Sequence, residues 1–275
     1  MYKKFLVIAS KQDKAGVNIT TALSQFRKNP LISSIKDSPS FDFYLREEEI
    51  ISDENLNLEK ISQYDFIIFA SKHQSEKGGK TLSIHAPGNW RNAEFGGEKE
   101  KVCPTSSQFL KQSFEILNKV AKEHKLEDYK ITLECTHHGP IITKPCMFIE
   151  VGATETEWAD RRAAFVVAKT IRDIIEEFKE NPYNENAIGI GGPHYCPSFN
   201  KIQLNSNVAI SHIIPEYVMP ITEEMIKEAI AKTQEEIDFA VIDWKGLGKS
   251  EQRQEVLNVL DKLYISYKRT GEIEK

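Results

Sequence analysis

Five of the seven histidines in this 275-residue chain fall in loops or strand ends punctuated by glycine or proline. They are His73 in Ser71-Lys72-His73-Gln74-Ser75, His85 in Ser83-Ile84-His85-Ala86-Pro87-Gly88-Asn89, His137 and His138 in Glu134-Cys135-Thr136-His137-His138-Gly139-Pro140, and His194 in Gly189-Ile190-Gly191-Gly192-Pro193-His194-Tyr195. A single imidazole of this kind reads as a surface or core histidine making one hydrogen bond. Five together point to a shared site, because the end of a buried strand is where an α/β fold places ligand and catalytic groups. Neutral imidazole and carboxylate oxygen suit zinc, which as a catalytic ion takes about three protein ligands and keeps one position open. Along an extended segment successive side chains face opposite ways. Glu134, Thr136 and His138 are then expected on one face and Cys135 and His137 on the other, unless the strand ends before the histidines. His73 and His85 become a ligand pair if the intervening loop folds back. Glu150 follows the apolar Met147-Phe148-Ile149. It either points into the same region, where it needs a metal, lysine or histidine partner to stay ionised, or sits half in water at a strand end. No H-E-x-x-H or C-x-x-C spacing is present, so spacing alone does not name the metal.

Other groups surround this set. Asn89 is placed to orient a carbonyl or a water. Trp90 beside it either joins the core or stacks on a nucleobase, a contact worth about 1–3 kcal/mol. Lys72, Lys77, Lys80, Arg91, Lys99 and Lys101 give the segment a local positive balance, the place to look for RNA phosphates. Thr154-x-x-Glu157 is a capping box; the helix start it marks either binds an anion or is satisfied by its own side chains. Three tempting motifs fail. Gly189-x-Gly191-x-x-His194 lacks the third glycine of a dinucleotide fingerprint, Gly246-Leu247-Gly248-Lys249-Ser250 lacks the first glycine of a P-loop, and no G-x-S-x-G elbow occurs.

The elements that must position these residues alternate in type. Strands are expected at Lys4–Ser10, 41–45, 64–70, Thr81–His85, 130–136, 146–151, 187–190, 208–213 and 239–243, and helices at about 17–26, 106–123, 155–179, 220–233 and 251–263. Glu47–Glu54 and Ser71–Gly79 read as polar loops, and Pro87–Thr105 as a long loop of the kind that is often functional. Alternation favours one domain over residues 1–275, an α/β fold with a single sheet and helices on both faces. With 40% hydrophobic residues the chain has ample core material. Its net charge of −5, from 36 basic and 41 acidic side chains, argues against a general nucleic-acid coat and a DNA partner but permits a local basic groove. No apolar run approaches the roughly 18 residues needed to span a bilayer, and four scattered cysteines without a paired motif suit a reduced compartment. A soluble cytoplasmic protein is the expectation, with a monomer the default and no membrane partner.

Taken together, the Ser71-Lys72-His73 and Ile84-His85-Ala86-Pro87-Gly88-Asn89 segments, the Glu134–Pro140 segment, Phe148-Ile149-Glu150-Val151-Gly152-Ala153-Thr154-Glu155-x-x-Trp158 and the Gly189–Tyr195 segment resemble the archaeal and plant type of D-aminoacyl-tRNA deacylase. Ala153 stands where a serine is expected. The resemblance implies a three-layer α/β/α fold with a mixed, mostly parallel sheet, similar to peptidyl-tRNA hydrolase and nucleoside phosphorylases. It implies a zinc-dependent enzyme that hydrolyses the ester joining a D-amino acid to the 3′ end of tRNA. The working assignment takes His73, His137, His194, Glu134 and Glu150 as zinc ligands, and His85, Asn89, His138 and Lys72 as catalytic. Trp90, Gly88, Thr154 and Glu155 are taken as substrate-binding. Which histidines bind and which catalyse stays open. Zinc would lower the pKa of a water toward about 7 for attack on the ester; in a competing version zinc is structural and a histidine and an asparagine catalyse. The residue that refuses the L isomer is not identified by the sequence. Two other readings are a zinc amidohydrolase or peptidase on a small substrate, and a zinc-stabilised RNA-binding module.

Overall fold

The apolar run Phe5, Leu6, Val7 and Ile8, its last two residues β-branched, makes the first strand, β1 (Lys4–Ser10), and Asp13 caps the helix that follows, α1 (Lys14–Ser24), by accepting from the Gly16 N–H. The chain continues through β2 (Ser40–Arg46), a 3₁₀ turn at Ile50–Ser52, α2 (Leu58–Ser62), β3 (Phe66–Gln74), β4 (Thr81–His85), α3 (Ser107–Glu123), β5 (Lys130–Leu133) and β6 (Cys146–Ala153). Then come α4 (Glu155–Trp158), α5 (Arg161–Glu177), β7 (Glu185–Ile190), α6 (Pro197–Asn205), β8 (Val208–Ile214), a 3₁₀ turn at Glu216–Val218, α7 (Glu223–Ala231), β9 (Phe239–Ile242), α8 (Ser250–Lys262) and β10 (Tyr267–Arg269). The structure is a computed structural model and describes residues 2–26, 39–76 and 78–273. Lys77, one of the expected phosphate-facing lysines, lies outside them.

The fold is α/β with mixed, mostly parallel pairing and helices on both sides. The expected single sheet is, however, two. A six-stranded sheet runs β2-β1-β3-β6-β4-β5, with β4 antiparallel to β6 and every other pair parallel. A four-stranded parallel sheet runs β10-β9-β7-β8. One core joins them: Phe5, Val7 and Phe66 of the first sheet and Ile210, Phe239 and Val241 of the second belong to a single apolar cluster with Phe109, Phe114 and Leu117 of α3. On its opposite face the first sheet packs Leu6, Ile8, Ile67, Phe69 and Phe148 under Ile50, Ile61 and Ile142. The second sheet's other face packs Ile188, Ile190 and Ile242 against Met225 and Ile226 of α7 and Val256 and Leu260 of α8.

Several elements differ from the sequence expectation. Ser71–Gln74 is strand, not loop, because Ser71, Lys72, His73 and Gln74 pair with Glu150, Val151, Gly152 and Ala153. The expected helix over 155–179 is broken after Trp158, because Asp160 accepts from the Arg162 N–H and starts a second helix. β5 stops at Leu133 rather than Thr136. Within the expected solvated loop Glu47–Glu54, Ile50 is buried and Asp53 is buried against Arg46. The helices α2 and α6 and the strand β10 were not foreseen. All four cysteines are free and buried. Among the described residues no helix is long and apolar enough to cross a membrane.

The 87–105 segment crosses itself at Gly88, which has φ +147° and whose missing Cβ would lie 2.4 Å from Val102 Cα. The Gly88 N–H also donates to the carbonyls of His138 (2.7 Å) and His137 (3.2 Å). Gly88→Ala is therefore expected to destabilise the protein by about 2–4 kcal/mol, from strain and overpacking combined. The check is the urea midpoint at unchanged m; a midpoint equal to wild type would show that the crossing holds nothing in place.

Candidate active site

The backbone of Glu134-Cys135-Thr136 stitches the two sheets together. Their N–H groups donate in turn to Ile84 O of β4 (3.1 Å), His194 O (2.9 Å) and Ile213 O of β8 (3.1 Å). Every expected histidine and both expected glutamates converge on this seam. His73 arrives on β3, His85 ends β4 and stacks on Phe148 (centroids 5.1 Å apart, 7° between planes), and Glu150 lies on β6. Gly152 clears the space for His73, since a Cβ there would sit 2.7 Å from His73 Cδ2. His138 has a left-handed backbone at φ +44°.

The buried carboxylate of Glu134 contacts three imidazoles. Its Oε1 lies 3.2 Å from His73 Nδ1, and its Oε2 lies 3.0 Å from His194 Nε2 and 3.3 Å from His137 Nε2. Glu150 Oε2 lies 3.7 Å from His73 Nδ1 and 3.6 Å from His85 Nε2. The rings of His85, His137 and His138 stand 4.2–4.8 Å apart. The expected separation of Glu134 and His137 onto opposite faces does not hold. The strand ends at Leu133, so the two-residue alternation lapses and the turn brings His137 back onto Glu134.

Protonation follows from the partners. Burial opposes a charged Glu150, yet the imidazoles of His73 and His85 beside it hold its carboxyl well below the usual range. Glu134 behaves alike: burial raises it, but the His194 hydrogen bond brings it down overall. Burial and the neighbouring His138 and His85 push His137 well down, and burial with His85 pushes His138 down to about 4. His194 goes the other way: burial lowers it, but Cys135 and Glu134 carry it up to about 10. His73 is also raised, its carboxylate contacts outweighing burial.

A backbone carbonyl only accepts, so the contacts of His137 Nδ1 with Cys135 O (2.9 Å) and of His85 Nδ1 with Ala86 O (3.2 Å) place the proton on Nδ1. In the neutral ring Nε2 is then a bare lone pair, and each of these lone pairs faces a carboxylate oxygen. His85 Nε2, Glu134 Oε1 and Glu150 Oε2 are buried without a hydrogen-bond partner. Acceptor facing acceptor in a buried site is relieved either by a second proton on the imidazole or by a cation held between the two groups. The donor set suits one: His85/His137/His138, Cys135/His137/His194, His73/Glu134/His194 and His85/Glu134/Glu150 each bring their ligand atoms within 4.8 Å of one another. The mixture of imidazole and carboxylate fits zinc.

Other expected residues lie differently. Lys72 points to the opposite face of β3 from His73 and pairs with Glu49 (2.8 Å), its ammonium 5.3 Å from the Trp158 ring centroid. Asn89 donates its amide to Gly96 O (2.8 Å) and Glu98 O (3.3 Å), bracing the loop. Trp90 is 3% exposed and donates to Ile213 O (3.1 Å), so its ring serves the core and offers no free face to a base. Thr154 and Glu157 complete the capping box of α4, and Glu155 faces Lys14 at 3.7 Å. The positive balance around 72–101 is largely met internally: Lys80 pairs with Asp128, Lys99 with Glu100, Lys101 with Glu228, and Arg91 donates to Val218 O and Pro220 O. Three site residues escaped the sequence reading. Tyr195 sets its hydroxyl 2.7 Å from His73 Nε2, Cys135 its Sγ 3.5 Å from His194 Nδ1, and Tyr217 its hydroxyl 3.0 Å from Cys135 Sγ. Cys135 and Tyr195 adjoin predicted site residues in sequence, which was the one available signal; Tyr217 had none.

Fold and site together define an α/β protein with a buried histidine–carboxylate cluster at the junction of its two sheets, whose side chains could hold a metal ion. Residues 60–268 match the family model for D-aminoacyl-tRNA deacylase, and the chain belongs to that enzyme family. It is 33% identical to the D-aminoacyl-tRNA deacylase of Thermococcus onnurineus, over 95% of this chain and 98% of that one. It is 31% identical to that of Methanocaldococcus jannaschii, over 91% and 94%. Among solved structures it superposes on AF0625, described as a conserved protein of unknown function, with TM-score 0.85 and 28% identity over 98% of this chain and 96% of that one.

His212 braces the seam from behind, its Nδ1 3.1 Å from Thr136 Oγ1, and burial pushes it down to about 4. The unfolded chain, with an imidazole near pH 6.5, binds the extra proton first as pH falls. Stability is thus full above about 6.5 and declines toward pH 4, by about 1.4 kcal/mol per pH unit for this one group. Chemical denaturation across pH 4–7 should show His212→Gln losing that share of the slope. An identical slope in the variant would contradict the assignment.

Proposed function

We propose that this chain hydrolyses the ester between a D-amino acid and the 3′ end of tRNA, and that it does so with a zinc ion held in the histidine–carboxylate cluster. The observation that carries the zinc reading is the pair of imidazole lone pairs aimed at buried carboxylates. His73, His137, His194 and Glu134 are the residues we assign to the ion, with Glu150 beside them. When bound, zinc supplies Lewis acidity, polarising the ester carbonyl and making water acidic enough to attack near neutral pH.

The chain's own groups do the remaining work. His138 donates Nδ1–H to the Gly139 carbonyl at 2.7 Å, so its Nε2 carries the lone pair. With its pKa near 4 it stays neutral at pH 7 and accepts a proton from the attacking water. The proton His138 takes up at Nε2 then passes to the departing ribose oxygen, and His85, set between the Phe148 face and Glu150 with its ring 4.8 Å from that of His138, keeps the base in position. Glu150 stays ionised and orients the His73 and His85 rings. His194, which carries a proton when no cation is present, must shed it to become a ligand, so metal uptake releases protons. Tyr195 fixes the His73 ring through its hydroxyl. Asn89 and Lys72 act at one remove: Asn89 shapes the loop, and Lys72 secures the 3₁₀ turn at Ile50–Ser52 through Glu49. Gly88 holds the His137-His138 turn, and Thr154 and Glu155 act at one remove as well, starting the helix that follows β6. An enzyme with this substrate works in the cytoplasm, where tRNA is charged and used.

The test is deacylation of D- and L-tyrosyl-tRNA, each with and without a chelator. The expected result is D-specific hydrolysis with the L ester slower by on the order of 100-fold, abolished by chelation while far-UV circular dichroism is retained. Equal rates on both isomers would defeat the D-specific reading. Unfolding on chelation would favour a structural ion.

A further inference from the structure

Three aromatic side chains are more than half exposed among the described residues: Phe95, Tyr217 and Tyr264. Tyr217 is 59% exposed, yet it is held at both ends. Its hydroxyl reaches Cys135 Sγ at 3.0 Å and His194 Nδ1 at 3.5 Å, at the wall of the cluster. Its backbone sits in the 3₁₀ turn Glu216–Val218, which Arg91 clamps from the 87–105 segment by donating to Val218 O and Pro220 O, and which Glu216 ties to Gly192 O. An exposed aromatic ring costs free energy in water, and fixing it adds a loss of rotamer freedom. A ring so held is preorganised for a flat partner.

We propose that the Tyr217 ring is the stacking platform for the terminal adenine of the tRNA. The inference rests on the deacylase reading of the adjoining cluster. In an aminoacyl-tRNA the amino acid is the terminal group and must reach deepest, whereas the adenosine lies next to it and its strand must run out to solvent. The buried side of the cluster, by His73, Glu134 and Glu150, therefore suits the aminoacyl group, and the exposed rim at Tyr217 suits the base. A purine stacked on an aromatic side chain binds irrespective of the rest of the tRNA sequence.

The experiment measures Kd for uncharged tRNA with and without its 3′-terminal adenosine, using wild type, Tyr217→Ala and Tyr217→Phe. Wild type and Tyr217→Phe, which keeps the ring, should each lose about tenfold in affinity when the adenosine is absent, or about 1.4 kcal/mol. Tyr217→Ala should bind both tRNAs within about twofold of each other, because the contact the adenosine makes is already gone. A tenfold difference retained in Tyr217→Ala, or no difference in wild type, would overturn the proposal. A loss in Tyr217→Phe equal to that in Tyr217→Ala would assign the effect to the Cys135 contact and overturn it as well. Wild-type deacylation of D-tyrosyl-tRNA, measured on the same preparation, reports separately on the deacylase reading.

Discussion

Two buried carboxylates, Glu134 and Glu150, face the lone pairs of imidazoles whose protons are already committed to backbone carbonyls. An ionised carboxylate removed from water without a compensating charge is among the costliest groups a protein can bury. Here His194, carried up to about 10 by Cys135 and Glu134, supplies part of that charge, and His73 beside it is raised by its carboxylate neighbours. The cluster's imidazole and carboxylate atoms also lie close enough together to hold a metal ion, and the surrounding architecture keeps them in place.

That architecture is a seam. The six-stranded sheet brings His73, His85 and Glu150 on three adjacent strands, and the antiparallel placement of β4 against β6 is what lets His85 and His73 approach Glu150 from opposite directions. The four-stranded sheet brings His194 after β7 and His212 within β8. Between the two sheets, Glu134-Cys135-Thr136 spends its backbone hydrogen bonds on both, so neither sheet can shift without disturbing the site. Packing of both sheets on α3 makes that shift still harder.

The sequence carried the strand–helix alternation and the chemistry-bearing motifs, because apolar runs and glycine–proline punctuation are local signals. It did not carry the split into two sheets. Whether β7 pairs with β4 or starts a new sheet depends on contacts far apart in sequence, with no periodic trace in either strand. Ser71–Gln74 misled for a related reason: a strand whose inner face lines a polar site has the composition of a loop. Glu134 and His137 were set apart by strict alternation that the turn at Thr136 cancels. The expected long helix hid its break, because Asp160 is unremarkable until its side chain is seen capping Arg162 N. Trp90, Asn89 and Lys72 had suggestive neighbours in sequence, but their bonds to Ile213 O, Gly96 O and Glu49 had no local trace. Tyr217 was invisible, since its link to Cys135 spans 82 positions.

The most direct test is an anomalous-scattering map recorded at the zinc absorption edge from crystals grown with zinc. The account predicts a peak about 2.0–2.2 Å from nitrogen and oxygen atoms of the cluster, with Glu134 Oε2 and His137 Nε2 drawn to the same ion. A map with no peak between those side chains, or with the only bound zinc at the protein surface, would contradict it.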